Sequence, residues 1–286
     1  YPAKGDGYVT VIQTAKPKFQ WSEATLNFKR PDKNNLVIYE AWIYDHTVER
    51  TIEGMTNRMY YYEDMGINAI ELMPVQEFDG NLNWGYSPNH YFAFDKAYGT
   101  SDELKTFIDE CHKRGIECHA WINPYRYSTS ADTYGTLPTD YSNTHPEWLL
   151  DCGGTVILNP GMPEVRQRIV DVVIDILSKY DVDGIVMDDY FYPYGGTTTE
   201  DAKSKALYKP DNVVDVNKDG DTDDDWRRSN VDVCLKTLYD TIQSVKPWVR
   251  LGMGTFGIWS TQKKAAQAYG LTLPSGISGL DDYDVQ

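Results

Sequence analysis

Val182-Asp183-Gly184-Ile185-Val186-Met187-Asp188-Asp189-Tyr190-Phe191-Tyr192-Pro193 is a short apolar run that stops abruptly in two carboxylates and three aromatic rings. Its apolar residues at 182, 185, 186 and 187 predict a strand buried on both faces, the kind found in parallel sheets wrapped by helices. Acids at the carboxyl end of such a strand stand where barrel enzymes carry their catalytic groups. The competing reading is a helix cap or a loop pair of solvated aspartates. Aromatic rings beside the acids favour the functional reading, because flat apolar faces next to ionised groups suit a sugar.

Working outward, the chain alternates strand and helix. Strands are predicted at residues 37–44, 69–73, 117–122, 182–187 and 249–253, with helices at 52–65, 101–114, from 163 to about 180, and at about 226–245. Pro163 suits a first helical turn, where its missing N–H is not needed. Alternation of this kind implies parallel strands and an α/β fold of the (β/α)8 barrel type. The stretch from Gly257 to Gln286 is too short for three more strand-helix units, so about five units are expected and the barrel is expected to be incomplete. Residues 1–35 carry one alternating stretch, Tyr8-Val9-Thr10-Val11-Ile12, and then Pro-punctuated polar sequence. They are expected to be a leader or the remnant of a preceding domain, with residues 36–286 as the barrel.

A chain of 286 residues can bury one sizeable core. The net charge of −16 and a pI near 4.6 argue against nucleic acid or an anionic membrane surface as partners, since like charges repel. With 22 Tyr and 8 Trp there are many rings able to stack on sugar faces, which favours a carbohydrate partner. Cys111, Cys118, Cys152 and Cys234 form no Cys-x-x-Cys pair and are expected to be buried thiols. No apolar run is long enough to span a membrane, and the start at Tyr1 without a leader is expected of a mature or excised segment.

Two sets of motifs divide the barrel. The first comprises Val37-Ile38-Tyr39-Glu40 with Asp45, Gly66-Ile67-Asn68-Ala69-Ile70-Glu71-Leu72-Met73-Pro74-Val75, Asn83-Trp84-Gly85-Tyr86-Ser87-Pro88 and Asp95-Lys96-Ala97-Tyr98-Gly99-Thr100. Over residues 36–115 the chain thereby resembles the α-amylase family, glycoside hydrolase family 13. That resemblance implies a stacking platform at Tyr86 for the sugar at the cleavage point. The second set comprises Ala120-Trp121-Ile122-Asn123-Pro124-Tyr125-Arg126, His145-Pro146-Glu147-Trp148-Leu149, Leu158-Asn159-Pro160-Gly161, the 183–193 run, Asp225-Trp226-Arg227-Arg228 and Phe256-Gly257-Ile258-Trp259. From about Cys111 onward the chain resembles glycosyl-hydrolase-like family 10, also called domain of unknown function 187. That family implies a bacterial barrel of the cell envelope that cleaves glycan chains, peptidoglycan strands among them. The join falls near 112–116, giving an amylase-like part at 36–115 and a family-10-like part at 116–286.

Glycoside cleavage usually needs two carboxyl groups, about 5 Å apart for retention or about 6.5–9.5 Å for inversion. Asp188 is the first candidate, because Gly184-Ile185-Val186-Met187-Asp188 superposes on the amylase strand that ends in its nucleophile. Where amylases have Arg two residues earlier, and family 10 usually His, this chain has Val186. Asp189 is the second candidate, although neighbours on a strand point to opposite faces unless the strand has ended. The amylase acid/base is a Glu on the fifth strand, and Arg250-Leu251-Gly252-Met253-Gly254-Thr255-Phe256-Gly257 contains no acid. Glu40, Glu71 and Glu77 read as structural or solvated. Asn123, Tyr125, Arg126 and Asn159 offer hydrogen bonds for sugar hydroxyls, and Trp84, Tyr86, Tyr190, Tyr192 and Trp259 offer stacking, some of these rings being core. His119 and His145 have the pKa range of general acids, but a single His within an apolar strand is more often a satisfied core residue, and neither is taken as a site residue.

Asp215-Val216-Asn217-Lys218-Asp219-Gly220-Asp221-Thr222-Asp223 places oxygens at loop positions 1, 3 and 5, glycine at 6 and an acid at 9, the spacing of a calcium loop. Position 12 is Trp226 instead of the bidentate Glu, so a solvated acidic loop is the alternative. The expectation is a glycoside hydrolase acting on a poly- or oligosaccharide, closer to family 10 and a cell-envelope glycan than to α-amylase. Structural Ca2+ is the one cofactor considered, and a secreted, periplasmic or cell-surface place in a bacterium is expected. The alternative is an inactive carbohydrate-binding partial barrel or a chimera without activity.

Overall fold

The computed structural model describes residues 11–78, 80, 82–86, 88–128, 140–188, 191–193, 199–216 and 220–254. A short helix, α1 (Glu23–Leu26), precedes β1 (Ile38–Ala41), which turns directly into α2 (Ile43–His46), α3 (Ile52–Thr56) and α4 (Met59–Asp64). β2 (Ala69–Leu72) is followed by a hairpin of β3 (Gln76–Glu77) and β4 (His90–Phe94), then by α5 (Ser101–Lys113). After β5 (Glu117–Ile122) come β6 (Arg126–Ser128), α6 (Tyr141–Thr144), β7 (Leu149–Cys152) and β8 (Thr155–Leu158). α7 (Pro163–Lys179) leads to β9 (Gly184–Asp188), and α8 (Ala202–Tyr208) and α9 (Thr222–Val245) lead to β10 (Arg250–Gly254).

The main sheet has the order β1-β2-β5-β9-β10. The pairs β1–β2, β2–β5 and β5–β9 are parallel. Spatial order follows chain order with no reversal, as in a barrel and unlike a doubly wound sheet, whose order reverses at a switch point. Residues 184–187 are all buried, as the unbroken apolar pattern of the strand predicts. Between β5 and α7, β6, β8 and β7 form a separate three-stranded antiparallel sheet, and β3 pairs with β4; the apolar alternation at these places was too short to predict either.

Local chemistry explains most boundaries. Thr100 and Glu103 form a reciprocal capping box that satisfies two unpaired N–H groups at the start of α5. Strand β1 is shorter than the predicted 37–44 because its ladder ends where Ala41 meets Leu72, the last residue of β2. The predicted helix at 52–65 is split into α3 and α4 at Asn57 and Arg58. Helix α9 starts at Thr222, earlier than the predicted 226, because Asp221 Oδ1 accepts the N–H groups of Asp223 and Asp224 at 2.9 and 3.2 Å.

Residues 22–31 are fastened to the amino ends of the strands. Ser22 N and Thr25 Oγ1 donate to Asp109 Oδ1 at 2.9 and 2.7 Å, and Phe28 stacks on His112 at 4.2 Å. Asp183, fully buried just before β9, is held by Arg30 at 2.7 Å, by His112 Nε2 at 2.9 Å and by the N–H of Cys118 at 2.9 Å. A buried carboxylate is tolerable only when it is paired and hydrogen-bonded in this way.

The described residues fall into two compact units. One lies within Tyr1–Asn123, Val170–Met187 and Tyr239–Gly252, the other within Pro124–Ile169, Asp188–Leu238 and Met253–Gln286. No helix among the described residues is long and apolar enough to cross a membrane. Cys111, Cys118 and Cys234 are buried thiols, and Cys152 is a half-buried one.

Candidate functional site

In the first unit, alternate residues of β5 share one face, so Glu117, His119 and Trp121 lie in successive layers. Glu117 is fully buried and is bonded by Arg250 from the start of β10 at 2.9 and 3.1 Å. His119 faces two carboxylates, Glu117 at 2.8 Å through Nε2 and Glu71 at 3.4 Å through Nδ1. Burial disfavours its charge, but the bonds to Glu117 and Glu71 outweigh burial and raise its pKa to about 9. His119 is therefore a protonated core histidine at neutral pH. Glu71 is committed to it, and Glu77 is buried against the backbone and side chain of Lys96. Glu40 is exposed on β1, opposite Glu71 in the ladder.

Above this ionic layer come the rings. Trp121 meets Tyr86 edge to face at 6.2 Å and 77°. Gly85 makes this placement possible: its φ is +88°, and an added Cβ would fall 2.1 Å from the carbonyl oxygen of Pro74. Trp84, on the other side of that glycine, turns to Trp42, with ring centroids 6.3 Å apart at 89°. Trp84 is 60% exposed and Tyr86 is half-buried, so both offer ring surface to a ligand. Asn123 follows β5 and is buried.

In the second unit, Asp188 is the half-buried last residue of β9. Tyr125 has no exposed surface and packs edge to face on Phe191 at 5.9 Å. Tyr192 is buried as well. Asn159 is also buried: its Nδ2 donates to Ser204 Oγ at 3.0 Å and its Oδ1 accepts from Gly161 N at 2.9 Å. It shapes the turn into α7 instead of presenting its amide to a ligand. Arg126 is half-buried at the start of β6. His145 is partly exposed and stacks on Trp148 at 4.1 Å, so it is a surface ring and not a core histidine. Asp189, Tyr190 and Trp259 lie outside the described residues.

The acidic loop closes at Gly220, whose N–H donates to Asp215 Oδ2 at 3.0 Å and whose φ is +85°. Asp221 caps α9, while Asp223 is paired with Lys205 at 2.5 Å and with Lys209. These lysine bonds hold the Asp223 carboxyl down at about 2. Asp223 therefore does not fit a calcium set; Asp215 Oδ2 accepts from Gly220 N, Asp221 at loop position 7 would offer its backbone carbonyl while its carboxylate caps α9, and Asn217 and Asp219 lie outside the described residues. Nearby, Arg227 bonds the buried Asp201 with two contacts, at 2.7 and 3.0 Å.

The structure thus brings Trp84 and Tyr86 to ring partners, Trp42 and Trp121, that were not singled out from the sequence. Trp42 directly follows the first strand and Trp121 shares the alternation of His119, and those were the signals available.

Residues 86–272 match the family Glycosyl hydrolase-like 10, and residues 25–124 match Alpha amylase, catalytic domain. Both expected resemblances are met, and the two matches overlap over 86–124. The chain is 31% identical over 270 residues to Glycosyl hydrolase YngK of Bacillus subtilis (strain 168), covering 92% of this chain and 49% of that protein. It is 34% identical over 226 residues to Glycosyl hydrolase DigH of Escherichia coli (strain K12), covering 72% and 48%. The chain spans about half the length of these relatives. Among solved structures, it is similar to the catalytic module of the glycogen-degrading pneumococcal virulence factor SpuA, with a TM-score of 0.57 and 17% identity over 82% of this chain and 33% of that one. It is likewise similar to an α-amylase from Lactobacillus plantarum, with a TM-score of 0.52 and 17% identity over 85% and 49%. These likenesses establish the fold as that of a (β/α)8-type barrel, here with a parallel sheet of 5 strands. The family match covers well over half of the sequence, and the chain belongs to the Glycosyl hydrolase-like 10 family.

Proposed function

We propose that the chain is the barrel part of a glycoside hydrolase that cleaves O-glycosidic bonds in a poly- or oligosaccharide. The observation that carries this reading is Asp188, the acid that ends a fully buried parallel strand of an amylase-type barrel. Family membership and the naming of both relatives as glycosyl hydrolases support it. Asp188 is assigned the stabilisation of the cationic sugar, and Asp189 is carried as the second carboxyl. Strand β10 ends without an acid, so the acid/base that amylases take from that strand is not supplied here. The substrate proposed is a glycan of the bacterial cell envelope, peptidoglycan strands included, with the protein outside the cytoplasm. Ca2+ is proposed as a structural ion of the 215–223 loop, supported by its spacing and by the Asp215–Gly220 closure, without Asp223 as a ligand.

The missing acid on β10 also favours a second reading, a barrel that binds carbohydrate without cleaving it. Reducing-end release from peptidoglycan-derived glycan strands and from starch-type α-glucans, each with and without the protein, separates the two. Cleavage supports the hydrolase, and binding without cleavage supports the inactive barrel.

A further inference from the structure

Three rings and a cation form a continuous row at the carboxyl end of β1, and the reaction assigned to Asp188 does not use them. Trp84 stands edge-on to Trp42, Trp42 stacks on Tyr44 at 5.0 Å and 26°, and the Arg50 guanidinium lies 4.2 Å from the Tyr44 ring centroid. Arg50 is exposed, adopts φ +57° and donates to the Tyr44 hydroxyl. Among the described residues it forms no salt bridge. The row is also fixed in place. Trp42 Nε1 is within hydrogen-bond reach of Asn83 O at 3.1 Å and Tyr98 Oη at 3.0 Å, and Asn83 Oδ1 accepts from Gly85 N at 2.8 Å.

Gly85 sets the spacing between this row and the Tyr86–Trp121 pair. Pressed against Pro74, it sends the two rings that flank it to different strand ends, Trp84 to β1 and Tyr86 to β5. With β2 between those strands, the two platforms stand roughly 10 Å apart by strand spacing, a length of the order of a disaccharide. Aromatic faces take the apolar face of a pyranose, and guanidinium N–H groups take its hydroxyls.

We propose that Trp42, Tyr44, Arg50 and Trp84 form an outlying subsite that holds a sugar unit of the same glycan chain beyond the one at Tyr86. Substrates long enough to reach both platforms are then preferred over short ones. This rests on the glycan reading above, and the test keeps the two separate.

The test is the ratio of kcat/KM on long over short oligosaccharides, using peptidoglycan-derived glycan oligomers and malto-oligosaccharides of increasing length. Trp84→Ala is expected to lower that ratio about tenfold, mostly through KM on the long substrates. Tyr60→Ala, which removes another exposed ring, is expected to leave the ratio at its wild-type value. Calorimetric binding of the same oligomers to Asp188→Asn gives a readout without turnover. There, adding Trp84→Ala is expected to weaken the long ligands about tenfold relative to the short ones. If the wild type cleaves nothing but its binding of long oligomers depends on Trp84, the subsite stands and the hydrolase reading falls. Cleavage with a ratio indifferent to Trp84→Ala overturns the subsite and leaves the hydrolase reading intact, and failure to bind any of these oligomers overturns the subsite as well.

Discussion

The imidazole of His119 lies directly over Gly184 on the neighbouring strand, so close that a Cβ there would come within 2.8 Å of the ring Cγ. The glycine makes room for a charged ring between Glu117 and Glu71. Gly184→Ala must therefore displace either the ring or the strand. Overpacking of this kind costs about 1–3 kcal/mol, and urea unfolding should show a loss in that range. The loss should shrink in a His119→Ala background, as expected for two residues in contact.

The protonated His119 makes stability depend on alkaline pH. Its folded-state pKa of about 9 stands above the ordinary 6.5, so its contribution is full below about pH 6.5 and is lost as pH rises through about 9. The contribution is on the order of 3 kcal/mol. Unfolding free energy measured across that window should fall, and His119→Gln should flatten the fall. The acid side behaves oppositely: hydrogen bonds from Thr25 and Ser22 outweigh burial and depress Asp109 to about 2. Its contribution is present above about pH 4 and is lost as pH falls through 2, and His119→Gln should leave that limb unchanged.

How far the sequence reveals this molecule depends on the range of the interaction concerned. β5 could be read to the residue, and β9 nearly so, because an apolar run bounded by a charge or a glycine is a local signal. The hairpin of β3 and β4 and the small sheet of β6, β7 and β8 escaped, since their strands are short and register with partners far along the chain decides them. At the candidate site, the place of Asp188 at the end of β9 was legible from the strand pattern. The burial of Tyr125 and Asn159 was not, because it depends on packing by Phe191 and Ser204, which no spacing encodes.

The pair Asp201–Arg227 is another nonlocal contact with a measurable cost. Both side chains are buried and joined by two bonds, so Arg227→Met leaves a carboxylate in the core without its cation. Breaking such a pair from one side costs about 3–5 kcal/mol. Denaturant midpoints should drop accordingly, and Asp201→Asn combined with Arg227→Met should recover part of the loss.

Calcium at the acidic loop should appear as a rise in Tm with millimolar CaCl2 that MgCl2 does not reproduce, since an ion that binds only the folded state stabilises it by mass action. Asp215→Ala should abolish the rise. A Tm indifferent to CaCl2 would instead leave these acids to the capping of α9 and to Lys205 and Lys209.

The catalytic role of Asp188 is tested most directly by the rate at which the purified chain, with calcium present, releases reducing ends from peptidoglycan-derived glycan strands, compared with Asp188→Asn. The predicted result is cleavage by the wild type and a loss of at least about 100-fold in the variant, with an unchanged circular dichroism spectrum. Equal rates for the two proteins would contradict the assignment of Asp188.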